Sequence, residues 1–225
     1  MAAGFMWAAA VLAVGLAIEL GFRYRRTRAP FYFWWTGSFL LYGMTFIAEA
    51  LSVSHNYTVG EYVLYIIGSA GLVGFMSVGT SFLGFPRRFA RVYAVLMSLA
   101  LVGLVVSVGL HPPVLGHYSW ILLNQGKAIT GVAQALYIPI AAVGGTLVFV
   151  GAVWSWWRTR RGYNLLIAVG VLVSSGAGTL ASQGAAGAAF PLTNIVALVL
   201  IYLGYRYSRA SSAGRTTAAS QTHQG

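Results

Sequence analysis

The 225-residue chain has no cysteine and no aspartate, and its acids are Glu19, Glu49 and Glu61 alone. Without cysteine there is no disulfide framework, no thiolate metal site and no cysteine nucleophile. Without aspartate, a Ser–His–Asp triad would need glutamate in the third place. No P-loop, dinucleotide fingerprint or HExxH motif occurs either. Charged residues make up 8% of the chain against 58% hydrophobic ones. A soluble domain carries roughly 25% charged residues. So few charges cannot cover a water-facing surface, and a bilayer is the solvent that fits the composition.

Proline is scarce too, and its placement divides the chain. A membrane-crossing helix needs about 20 apolar residues. Seven stretches qualify: Gly4–Phe22, Phe31–Val53, Glu61–Phe85, Val92–Leu110, Ala128–Trp157, Asn164–Gln183 and Pro191–Tyr207. Pro30, Pro86, Pro112, Pro113 and Pro191 fall at their ends, where a helix tolerates a break. Pro139 alone lies inside one and predicts a kink in the fifth. The first stretch lacks a basic segment before it and has arginines after it, the reverse of a secretory signal peptide, so it is expected to stay as a helix. The outer loop 111–127 is expected to hold a short interfacial segment around Trp120–Leu123.

Lysine is nearly absent: the 14 basic residues are 13 arginines and Lys127. With seven spans, every arginine lies on one face. Arg23, Arg25, Arg26 and Arg28 follow the first helix, and Arg87, Arg88 and Arg91 follow the third. Arg158, Arg160 and Arg161 follow the fifth, and Arg206, Arg209 and Arg215 follow the seventh. Positive loops stay in the cytoplasm, so the amino end is expected outside and the carboxyl end inside. The fold expected is an all-α polytopic membrane protein of the cell membrane, a seven-transmembrane-helix bundle over residues 1–209. A disordered cytoplasmic tail, rich in Ser, Thr, Ala, Gly and Gln, follows over 210–225. The net charge of +11 then faces anionic inner-leaflet lipid. Arginines scattered over four short connections do not make a nucleic-acid module.

Small residues are expected to hold the helices together, because lipid offers no hydrophobic drive between them. Gly170, Ser174, Gly178 and Ser182 form a stripe on the sixth helix, Gly68, Gly71 and Gly74 one on the third, and Gly144, Gly145 and Gly151 a looser set on the fifth.

Acids within a bilayer are expensive and point to function. Glu19 is placed to pair with Arg23 at i, i+4, and Glu61 suits the start of the third helix. Glu49, in the outer third of the second helix, either reaches the headgroups or finds a buried partner, and Lys127 is the one base on that side. Asn124, Lys127, Thr130, Gln134 and Tyr137 recur at helical spacing as a polar stripe. With Tyr65, Thr179, Ser182, Gln183, Thr193 and Asn194 they are expected either to line an outward-facing polar cavity around a Glu49–Lys127 pair or simply to bond helix to helix. His55, His111 and His117 share the outer side with Glu61, without metal-ligand spacing. No metal, catalytic residue or cofactor is predicted. No histidine lies within a proposed helix, which disfavours haem.

Seven helices at this length resemble the outline of a microbial rhodopsin, but the proposed seventh helix has no lysine to hold retinal. Trp34-Trp35, Leu41-Tyr42-Gly43, Glu49-Ala50-Leu51, Gly79-Thr80, Gly178-Thr179-Leu180 and Leu203-Gly204-Tyr205 give a resemblance to uncharacterised prokaryotic seven-helix membrane proteins across residues 30–207. That resemblance implies a fold and no activity. The readings left open are a sensor or accessory subunit binding a small molecule or lipid, a small-solute or ion transporter, and a structural subunit of a membrane complex or homo-oligomer.

Overall fold

The computed structural model describes residues 2–116, 118–124, 126–160, 162–182 and 192–207. All regular structure among them is helical: α1 (Ala2–Thr27), α2 (Pro30–Ser52), α3 (Val59–Gly84), α4 (Arg87–Leu110), α5 (Trp120–Asn124), α6 (Gly131–Thr159), α7 (Gly162–Ser182) and α8 (Leu192–Tyr207). α1, α3, α4 and α6 are long and apolar enough to cross a membrane, and α8 is a shorter apolar helix. At 1.5 Å per residue each of the four exceeds the roughly 30 Å of hydrocarbon it would have to cross. The expected tail and Arg161, Arg209 and Arg215 lie outside the described residues.

Local chemistry sets the boundaries. Pro30 opens α2 at a position that needs no amide donor. Thr58 and Glu61 close a reciprocal capping box on α3, so Glu61 does sit at that helix's start. Arg28 and Arg160, both at positive φ, follow the ends of α1 and α6. α6 starts three residues later than the expected Ala128. Gly126 and Gly131 both adopt positive φ, and the chain between them forms a turn that separates α5 from α6. The helix then runs on through Pro139. The expected segment at Trp120–Leu123 is α5.

α2 lies against α1 on one side and α3 on the other, and α3 also packs against α4 and α6. Glycine makes these approaches close. A Cβ on Gly68 would strike Thr45 and come within 3.0 Å of the Leu41 carbonyl oxygen, and one on Gly79 would strike Trp35. Gly144 meets Val73 of α3 in the same way, and Gly170 meets Ala197 and Ile201 of α8. Gly145 faces open space, contrary to its expected packing role, because its neighbour Gly144 already turns the contact face of α6 toward α3. The opposite surface is apolar: Val92, Val95, Leu96, Leu99, Val102 and Val106 of α4 are all exposed.

The arginine-bearing ends meet at one end of the bundle. The Arg23 guanidinium lies over the Tyr205 ring at 5.5 Å, joining the ends of α1 and α8. Trp35, Gly84, Ser155 and Ile167 border one small cavity, which joins the start of α2, the ends of α3 and α6, and the start of α7. α4 begins at Arg87, directly beyond α3.

Candidate functional site

The inner face of α2 carries a run of polar side chains. Ser38, Tyr42, Thr45, Glu49 and Ser52 follow one another by four, three, four and three residues, a spacing that keeps them on one helix face. All five are buried. Four have clear partners. Ser38 donates to the Leu72 carbonyl of α3 at 2.8 Å, Thr45 to Leu41 at 2.9 Å and Ser52 to the Glu49 carbonyl at 2.9 Å. The Tyr42 hydroxyl donates to Asn194 Oδ1 at 2.9 Å, and Ser174 Oγ donates to the same oxygen at 3.3 Å. One amide oxygen thus ties α2, α7 and α8 together.

Glu49 is the exception. Its side chain is 1% exposed, and its Oε2 has no hydrogen-bond partner among the described residues. Its carboxyl lies within electrostatic range of the phenols of Tyr42, Tyr57 and Tyr65. Those of Tyr57 and Tyr65 belong to an aromatic cluster at the end of the bundle away from the arginines. The Tyr57 ring lies 5.6 Å from both Tyr62 and Tyr65 and stacks on Trp120 at 6.4 Å. Trp120 Nε1 donates to Ser52 Oγ at 2.8 Å, which anchors α5 to the end of α2. Asn56, at φ 66°, turns the chain just ahead of Tyr57, and its amide donates to the Tyr118 carbonyl at 3.0 Å. That amide belongs to the Asn56-Tyr57-Thr58 glycosylation sequon. Burial pushes the Tyr57 phenol well above its ordinary range. The Glu49 charge adds to the rise, and a hydrogen bond with Ser52 partly offsets it. The phenol therefore stays neutral and acts as a hydrogen-bonding group with an electron-rich ring face.

The residues singled out from sequence divide into two groups. Glu49 and Tyr65 share the aromatic cluster, and Asn194 is buried one partner away, through Tyr42. Lys127 and Gln134 are exposed. Glu49 and Lys127 form no ion pair: Lys127 lies in the turn between Gly126 and Ala128, outside any helix. The helical spacing assumed across Asn124–Tyr137 breaks at that turn, so those residues do not form one stripe. Tyr137 meets Ser69 at 3.2 Å. The side chains of Asn124, Thr179 and Ser182, and all of Gln183, lie outside the described residues. A cleft of about 680 Å³ opens at this end between α3, α4 and α6, with His111, Tyr118 and Thr130 on its border. Of the residues expected to line a polar cavity, Thr130 borders it, whereas Glu49, Tyr65, Lys127, Gln134 and Asn194 do not.

The other acids are engaged as the sequence suggests. Glu19 meets Arg23 at 3.7 Å, and Glu61, besides capping α3, lies 3.7 Å from His55. Among the described residues no three His, Cys, Asp or Glu side chains gather as a metal site would require.

Neither protein-family models, nor curated proteins, nor solved structures match this chain.

Chemically, a buried carboxyl on the helix that adjoins an aromatic cluster suits the recognition of positive charge. Ring quadrupoles attract a cation over their faces, and a desolvated carboxylate needs a counter-charge. Sequence reasoning passed over Tyr42, Ser52, Tyr57, Tyr62 and Trp120. The signal for two of them was present: Tyr42 stands seven residues before Glu49 and Ser52 three after it, hence on one helix face.

Proposed function

We propose that the chain is a multi-pass protein of the cell membrane, with seven spans, its amino end outside and its carboxyl end in the cytoplasm. In that setting it binds a small cationic molecule at Glu49 and serves as a sensor or an accessory subunit. The spans are α1 to α4 and α6 to α8, with α5 in the outer loop. Supporting the membrane placement are four long apolar helices and the gathering of arginines at one end of the bundle.

The observation that carries the ligand reading is the Glu49 carboxyl, buried with an oxygen that no described group satisfies. Acids held at such depth are costly and mark ligand or ion sites. An ammonium group would supply both the counter-charge and the missing donor, and Tyr57, Tyr62, Tyr65 and Trp120 would offer ring faces to its carbon skeleton. The test uses thermal unfolding of the purified full chain against tetramethylammonium, spermidine and sodium ions. At least one organic cation is expected to raise the melting temperature of the wild type and to leave Glu49→Gln unmoved. Equal shifts in both proteins, or none in either, would remove the site.

A transport role has one observation in its favour: an unpaired buried acid is the type of group that relays protons in pumps and transporters. Flux of the same cations into proteoliposomes, abolished in Glu49→Gln, would move the reading from sensing to transport.

A further inference from the structure

A second ligand surface lies at the opposite end of α2. An open groove of about 700 Å³ runs between α1 and α2. Ala17, Gly21 and Thr36 form its floor, where a Cβ on Gly21 would meet Thr36 at 3.6 Å. The exposed side chains of Phe22, Phe33 and Leu40 form its sides. At the mouth stand Arg25 and Arg28, both exposed. Arg28 ends the helix in a left-handed conformation, its amide bonded to the Tyr24 carbonyl at 2.8 Å. Its guanidinium lies 5.9 Å from the centre of the Tyr24 ring, and that ring packs against Phe33 at 5.6 Å. The basic mouth is thereby fixed to the apolar groove beneath it.

Charge balance shows what the mouth lacks. Of the three acids, Glu19 pairs with Arg23, Glu61 caps α3 at the far end, and Glu49 lies about 28 Å away along α2 by helical rise. Among the described residues neither Arg25 nor Arg28 has an acid as partner. The groove from Arg25 down to Ala17 spans eight residues of α1, about 12 Å. That is most of the roughly 15 Å hydrocarbon depth of one leaflet.

We propose that the α1–α2 groove is a binding site for a phospholipid with a net negative headgroup. Its phosphate accepts hydrogen bonds from the Arg25 and Arg28 guanidinium groups, and one acyl chain lies along Gly21 between Phe22 and Phe33. The bidentate geometry of arginine suits phosphate, and basic pockets between membrane helices bind such headgroups. The site rests on the membrane placement of α1 and α2 and is independent of Glu49.

Native mass spectrometry of the full chain, released from detergent after titration with phosphatidylglycerol, phosphatidylcholine or inorganic phosphate, tests it. The wild type is expected to retain phosphatidylglycerol over phosphatidylcholine and to hold inorganic phosphate far more weakly than the lipid. Arg25→Gln/Arg28→Gln should weaken phosphatidylglycerol retention about thirtyfold, about fivefold for each arginine. The control Arg87→Gln/Arg88→Gln removes the same charge from exposed positions at the same end and should retain the lipid as the wild type does. Equal retention of both lipids, equal loss in both double variants, or phosphate bound as tightly as the lipid would overturn the site. Gly21→Leu keeps both arginines and fills the groove, so it decides the matter should the double variant fail to fold. Loss of the adduct supports the site, and wild-type retention sinks it.

Discussion

Asn194 Oδ1 accepts from Tyr42 at 2.9 Å and from Ser174 at 3.3 Å, so losing the acceptor differs from losing one donor. In Tyr42→Phe the amide oxygen keeps the Ser174 hydroxyl, and the cost should be about 0.6 kcal/mol, the average for interhelical hydrogen bonds in membranes. Asn194→Leu removes the acceptor that Tyr42 and Ser174 share and breaks both bonds at once, which costs about 2 kcal/mol. Unfolding titrations in mixed micelles should therefore rank the two variants in that order. The reverse order would mean that Tyr42 is held by other contacts. At this scale the sequence was partly legible. Glu49 stood out because acids are so few, the Glu19–Arg23 pairing follows from spacing, and Glu61 suits a helix start by its charge. The tyrosines around Glu49 did not stand out, because 13 tyrosines in an apolar chain give no contrast until the fold gathers four of its aromatic rings.

Among the elements, α2 was the most readable helix and was under-read. Its five polar residues at alternating steps of four and three announce a buried polar face. In Asn124–Tyr137 helical spacing also holds in sequence, but two glycines at positive φ interrupt the helix. Spacing tests a helix only where no turn intervenes, and Gly126 and Gly131 were the turn signals. The glycine stripes show the same limit. Position on a stripe predicts a close contact, yet only the neighbouring backbone decides it. Gly68 abuts the Leu41 carbonyl oxygen, which cannot rotate away, so Gly68→Ala should destabilise the protein by about 1–3 kcal/mol through overpacking. Gly145 meets nothing, so Gly145→Ala should be neutral or stabilising by up to about 1 kcal/mol from helix propensity. Melting temperatures of the two single variants check the contrast. Equal destabilisation would place Gly145 in a contact that the bundle of one chain does not contain.

At the scale of the whole molecule, the charge asymmetry and the hydropathy of α2 pull in different directions. α2 is not among the four helices apolar enough to span by composition, because tyrosines, tryptophans and its polar stripe dilute it. Yet if α2 does not cross, α1 and α3 enter the membrane from sides that scatter the arginines over both faces. The conflict resolves if composition is counted only over the surface that meets lipid. The polar face of α2 is buried against α1 and α3 and bonded to Asn194 of α8, so lipid sees little of it. The absence of cysteine makes this directly testable, since any single cysteine introduced is the only thiol present. Membrane-impermeant maleimide on intact cells should label Ser54→Cys and Val114→Cys, which lie beyond the far ends of α2 and α4. Thr27→Cys, Phe85→Cys and Thr159→Cys, at the arginine end, should label only after permeabilisation. If Thr27→Cys and Ser54→Cys became accessible together, α2 would not cross. The arginines would then lie on both faces, and Glu49 would sit in a helix at the surface instead of within the bilayer.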